Sequence, residues 1–128
     1  MTYECIYNPK LNTIEAATHG MADMTALLEM LHQIAELCRQ EQNAKILIDH
    51  SDLDASLLTM KNIESISLST VSLKDIFMKR KCAHVVAKDL QFGLVRAWEI
   101  IIAMNDFTEI ETKLFRNIDD AVVWLNAG

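Results

Sequence analysis

An α/β fold is predicted for this chain: one domain with a mixed, mostly parallel five-stranded sheet carrying one antiparallel hairpin strand, and about four helices, in the order β-β-α-β-α-β-α-β-α. Three observations predict it. Short alternating patterns open the chain, apolar helical stripes then alternate with short continuous apolar runs, and only three Gly and one Pro occur in 128 residues.

The elements follow in order. Tyr3 to Tyr7 and Thr13 to Thr18 are strand candidates separated by Asn8-Pro9-Lys10-Leu11-Asn12, where Asn-Pro and the second Asn mark a turn, so the two form a hairpin. From Asp23 the period changes to three and four residues through Met24, Leu27, Leu28, Leu31, Ile34, Ala35 and Cys38, an amphipathic helix capped by Asp23 or Thr25. Lys45 to Asp49 is a short apolar run bounded by polar residues, as expected of a parallel strand covered on both faces. Leu57 to Lys81 starts with helical spacing at Leu57, Met60, Ile63 and Ile66, then alternates through Ser65-Ile66-Ser67-Leu68-Ser69. Serine and β-branched residues are weak helix formers, so this helix is the one expected to break or move. Ala83 to Ala87 reads as another buried strand, Asp89 to Met104 as a strongly apolar helix, and Glu111 to Phe115 as the last strand. Asn117 caps a final helix ending near Gly128, with Asp119 and Asp120 in its first turn complementing the dipole.

Composition narrows the function classes. A chain that is 51% hydrophobic and 23% charged has the makings of an ordinary core. Cys5, Cys38 and Cys82 are odd in number and lack close spacing, which suggests neither a disulfide framework nor a zinc site. With no signal-like N-terminus and no apolar stretch of about 18 residues, a cytoplasmic protein is expected. The net charge of −6 disfavours general nucleic-acid binding. The charge is uneven, however: Lys79, Arg80, Lys81, Lys88 and Arg96 against Asp89 alone make an island of +4, while the remainder carries −10. Solvated surface charge explains such an island, and an anion or lipid-headgroup contact is the functional alternative.

Leu90-Gln91-Phe92-Gly93-Leu94-Val95-Arg96 opening one helix, and Phe115 to Ala121 leading to Trp124-Leu125, give the last third a distinctive pattern. With the element order, it resembles the SpoIIAA-like (STAS/SEC14-type) bacterial proteins. The resemblance implies a STAS-like fold and two kinds of activity. Anti-sigma-antagonist STAS domains carry a phosphorylatable Ser in an Asp-Ser-Ser/Thr-Gly pattern after the third strand. Here the junction reads Asp49-His50-Ser51-Asp52-Leu53-Asp54-Ala55-Ser56-Leu57, without the Ser pair or the Gly; Ser56 is the nearest match, and a helix-capping role competes with the switch role. Lipid carriers of the CRAL-TRIO type imply instead a mobile apolar gate over a cavity. Residues Met60 to Met78 would form that gate, with Ile63, Ile66, Leu73 and Phe77 facing a ligand across from Gly93, Arg96 and Trp98. Phe77, Met78, Lys79, Arg80 and Lys81 would then meet anionic headgroups at the inner membrane face. An ordinary packed helix, with Arg96 paired to Glu99, is the plain alternative.

Catalytic signatures are missing. His50-Ser51-Asp52 contains triad residue types, but a triad is a matter of geometry, and neighbours on a strand point apart. Asp49, Asp52 and Asp54 lie where parallel sheets place ligands, yet capping and loop solvation account for them without a metal. His19, His32 and His84 form no ligand pair, and no phosphate loop, G-x-S-x-G or Rossmann fingerprint is present. The expectation is a non-enzymatic protein without a cofactor that binds a lipid or other apolar small molecule with transient membrane contact. The alternative is a STAS-type module for a protein partner; self-association is compatible with either.

Overall fold

The structure, a computed structural model, describes residues 1–127. It contains β1 (Thr2–Asn8), β2 (Thr13–Met21), α1 (Met24–Gln40), β3 (Lys45–Asp54), α2 (Met60–Ser72), α3 (Lys74–Phe77), β4 (Lys81–Val85), α4 (Asp89–Met104), β5 (Glu111–Phe115) and α5 (Ile118–Leu125). The expected α/β layering is present, and the sheet is mixed. β1 pairs antiparallel with β2, and β2 with β3, β3 with β4 and β4 with β5 pair in parallel. The hairpin turn closes with Asn12 at φ 49, a left-handed conformation that Asn tolerates, while the Tyr7 hydroxyl donates to its side chain at 2.8 Å.

The strands lie side by side in chain order, β1 to β5. Three crossovers taken in one direction with one hand must put their helices on the same face of the sheet. The main core accordingly gathers Ile14, Ile46, Ile48 and Cys82 from the sheet with Leu27, Met30 and Ile34 of α1, Phe77 of α3 and Ile102 of α4. After β5 the chain turns to the opposite face. There α5 buries Ala121 and Leu125 against Leu47, Ala83 and Val85.

Several boundaries differ from the sequence reading. Five helices are described, not four, because the weakly helical segment breaks at Leu73 and restarts as α3. The break lies beyond the alternating Ser run, whose Ser67 hydroxyl is instead absorbed by the Ile63 carbonyl at 2.6 Å. β3 continues five residues past Asp49, and β4 begins and ends two residues earlier than expected. α5 ends at Leu125, and Gly128 is outside the described residues. Asp23 and Asn117 cap α1 and α5 as expected.

The basic triplet does not form one surface patch. Arg80 is 7% exposed. Its guanidinium donates to the carbonyls of Cys38, Glu41 and Ala44 at 2.9, 3.0 and 2.8 Å, and its Nε to that of Ile76 at 3.0 Å. One buried fork thus satisfies the C-terminal end of α1 and ties it to α3. Lys81 donates to the carbonyls of Trp124 in the last turn of α5 and of Ala127 just beyond it, and sits over the Trp124 ring at 5.0 Å. Only Lys79 of the three is exposed, at φ 64, and this left-handed turn separates the end of α3 from the inward-facing Arg80. Phe77 is 3% exposed in the core. Arg80 and Phe77 therefore cannot serve as the expected membrane contact, and Lys81 is engaged at α5.

Replacing Arg80 with Met leaves at least three carbonyls without their donor, so Arg80→Met is expected to cost about 3 kcal/mol or more. Lys81→Met, at a half-exposed site, should cost about 1 kcal/mol. Urea unfolding of both variants checks this; equal losses would refute the buried-cap assignment.

Candidate functional site

The site is built around an irregularity in β3. Ala17 of β2 pairs with Asp49, but His19 pairs with Asp52, so β3 carries one residue more than its neighbour around His50 and Ser51. A bulge of this kind reverses the alternation of side chains. Ile48 and His50 line the helix-covered side before the bulge, and Leu53 and Ala55 line the same side after it. The extra residue is stabilised by Asp49, whose Oδ1 accepts from the Ser51 N–H at 2.9 Å and from its hydroxyl at 2.5 Å.

Past Asp49, β3 has outrun β4, whose last paired residue is Val85. Its carbonyls would be left open there. Gln91 in the first turn of α4 supplies the missing donor: Nε2 donates to the carbonyls of His50 at 2.9 Å and Leu53 at 2.6 Å, while Oε1 accepts from the Lys88 N–H. This buried amide fixes the start of α4 to the bulge.

Between the bulged end of the sheet and helices α1, α2 and α4 lies a cavity of about 110 Å³. Its lining is apolar apart from four side chains. Met30, Leu31 and Ile34 come from α1, Ile63 and Ile66 from α2, and Leu94, Val95 and Trp98 from α4. The polar exceptions are His50, Thr70, His84 and Gln91. His84 is paired with Ile48 across the strands, so His50, two residues further on, lies along the same side. The two imidazoles stack with centroids 6.0 Å apart and planes at 21°, and the Trp98 ring meets His84 edge-on at 4.9 Å. Trp98 in turn donates Nε1–H to the Thr70 hydroxyl at 3.0 Å, and that hydroxyl donates to the Ile66 carbonyl at 2.9 Å. α2, α4 and the sheet are joined by this relay.

Both rings are neutral at ordinary pH. Burial, reinforced by the adjacent His50, pushes His84 down to about 3. Burial pushes His50 down to about 4 against the opposing pull of Asp49. His50 retains some solvent contact, while His84 is 4% exposed. Burial also holds the Cys5 and Cys38 thiols up at about 11 and raises Cys82 further, so all three remain protonated.

Of the residues singled out from sequence, Ile63, Ile66 and Trp98 meet at this cavity. Leu73 and Phe77 pack into the core beside it. Gly93 is exposed, with nothing near the position a side chain would take, and Arg96 is exposed and paired with Glu99 at 3.0 Å. Ser56 lies in a turn, its N–H donating to Asp54 at 3.0 Å. The helix cap is instead Thr59, which forms a capping box with Asn62. Asp54 is held below the usual carboxylate range by its bonds to Ser56, and Asp52 pairs with His19 at 3.3 Å. Among the described residues no group of three acidic, His or Cys side chains is arranged to hold a metal, nor is any helix long and apolar enough to cross a membrane. The His50–His84 pair was missed because its formation depends on strand register. The available signal is a lone His within one predicted strand, His84, and another directly after the predicted end of its neighbour, His50.

The unfolded histidines titrate near 6.5, so as pH falls below that value the unfolded chain takes up protons that the fold excludes. Stability contributed by the neutral rings is complete above about pH 7 and declines toward about pH 4, by up to about 1.4 kcal/mol per pH unit for each ring. Urea midpoints should fall from about pH 7 to about pH 5, and His84→Phe should flatten the decline; an unchanged slope would contradict the assignment. Compared with protein-family models, curated proteins and solved structures, the chain matches none.

Proposed function

We propose that this chain is a SpoIIAA-like, STAS-type domain that binds a compact apolar molecule, without catalysis, in the cavity beneath α2 and α4. The observation that carries the reading is the cavity itself: about 110 Å³ of space with a predominantly apolar lining, in a protein large enough to fill its core. The space is about half open to the surface, and an apolar cavity of roughly 150 Å³ is known to take up benzene-sized guests. The element order and the Gln91-containing start of α4 support the family part of the proposal.

Size selects the guest. Pockets for drug-sized ligands usually span roughly 300–1,000 Å³, so the cavity as it stands suits a single ring or a short branched chain. A long acyl chain requires displacement of α2, whose Ser-rich sequence and break at Leu73 make it the element easiest to move. Membrane contact through the basic triplet does not form part of the proposal, since Arg80 and Lys81 are occupied at the ends of α1 and α5.

Titration with toluene, followed by methyl NMR, is expected to shift Leu31, Ile66 and Leu94 selectively and saturably. Ile66→Phe, which places extra volume in the cavity, should abolish the shifts while changing stability by no more than about 1–3 kcal/mol. Unsaturable or scattered shifts in the wild type would refute the proposed binding site.

A further inference from the structure

The two imidazoles pose a question that an apolar guest alone does not answer. Each ring has one nitrogen engaged. His50 Nδ1 lies 2.8 Å from the Thr18 hydroxyl, and His84 Nδ1 lies 4.0 Å from the Cys82 sulfur. Neither Nε2 has a hydrogen-bond partner among the described residues. Yet no buried side-chain nitrogen or oxygen there is left without one. The His84 Nε2 must therefore border an accessible surface, and for a side chain in a residue only 4% exposed, lining the cavity, that surface is the cavity wall.

The other polar groups of the wall are already committed. Thr70 both accepts from Trp98 and donates to Ile66, and Gln91 uses its amide nitrogen twice and its oxygen once. Unused hydrogen-bonding capacity at the wall is thus concentrated on the histidines. The Thr18 hydroxyl, which can donate or accept, lies 2.8 Å from His50 Nδ1 and 3.5 Å from the Asp49 carbonyl. Nδ1 is thus occupied in either tautomer, and the second nitrogen of His50 is the one left for a guest, as donor in one tautomer and acceptor in the other.

We infer that the cavity recognises a compact ring bearing one uncharged oxygen, of the phenol class, with the ring held among Ile66, Leu94 and Trp98 and the oxygen bonded to the His50–His84 pair. This rests on the proposed binding of an apolar molecule in the cavity and adds the polar half of its recognition. Charged analogues are disfavoured, because the site offers neutral rings and no side chain of opposite charge among its lining residues.

Toluene and phenol test the two halves separately, having equal numbers of heavy atoms and differing by one hydroxyl. A cavity without a polar partner rejects the hydroxyl by about tenfold or more relative to methyl. Here phenol is expected to bind at least as tightly as toluene by calorimetry at about neutral pH. His84→Phe should retain toluene and weaken phenol at least about tenfold, whereas His84→Gln, which keeps a polar group, should restore part of the phenol affinity. Because these variants alter a buried site, the wild type supplies a second readout: imidazole nitrogen NMR should show the Nε2 resonances of His50 and His84 moving with phenol and not with toluene. Toluene binding with rejection of phenol, or phenol binding that leaves both Nε2 resonances unmoved, overturns the polar recognition and leaves the apolar cavity standing. Failure of both ligands to bind overturns the cavity reading and this inference together.

Discussion

The bulge at His50 and Ser51 is the constraint on which the site depends. Without the extra residue, regular alternation would send Leu53 and Ala55 to the opposite side from Ile48 and His50, and the cavity would lose part of its wall. The bulge leaves carbonyls beyond the end of β4 without strand partners. Gln91 satisfies two of them and thereby anchors α4 at a defined height above the sheet. Asp49 does the complementary work on the donor side. A local defect in pairing becomes a fixed separation between sheet and helices, and the space between them remains unfilled.

Monotonic strand order reinforces this geometry. All crossover helices crowd one face, and the opposite face is left to α5. Arg80 holds the end of α1 and Lys81 the end of α5, so adjacent residues pin elements on opposite sides of the sheet. α2 is secured differently, through the Trp98–Thr70 bond and packing on α4. Its weakly helical Ser residues spend hydroxyl bonds on their own backbone, which leaves fewer ties to the rest of the fold.

The parts legible from sequence are those governed by local rules. The hairpin turn at Asn8 to Asn12, the caps Asp23 and Asn117, and the span of α4 all follow from neighbouring residues and short periods. The alternating Ser run announced a helix that would break, but the position at Leu73 reflects packing of α3 and not propensity. The polar run His50-Ser51-Asp52 hides the second half of β3, and nothing local reveals that a bulge and a distant Gln91 carry the strand onward. The Lys79-Arg80-Lys81 triplet looked like one surface patch. Each member has a different environment, set by a left-handed turn at Lys79 and by two helix ends far away in sequence. Of the site, Ile63, Ile66 and Trp98 were visible as apolar helix positions, whereas the histidine pair requires knowing that β3 and β4 are parallel neighbours in register.

The central claim is that an apolar space persists between the bulged sheet end and α2 and α4, open to a guest. Crystals of the protein pressurised with xenon test it most directly, since xenon seeks dry apolar voids and needs no chemical match. Anomalous density bounded by Ile66, Leu94, Trp98 and His84, absent in Ile66→Phe, is the predicted result. A site filled by well-ordered water, or by collapsed side chains that admit no xenon, would contradict it.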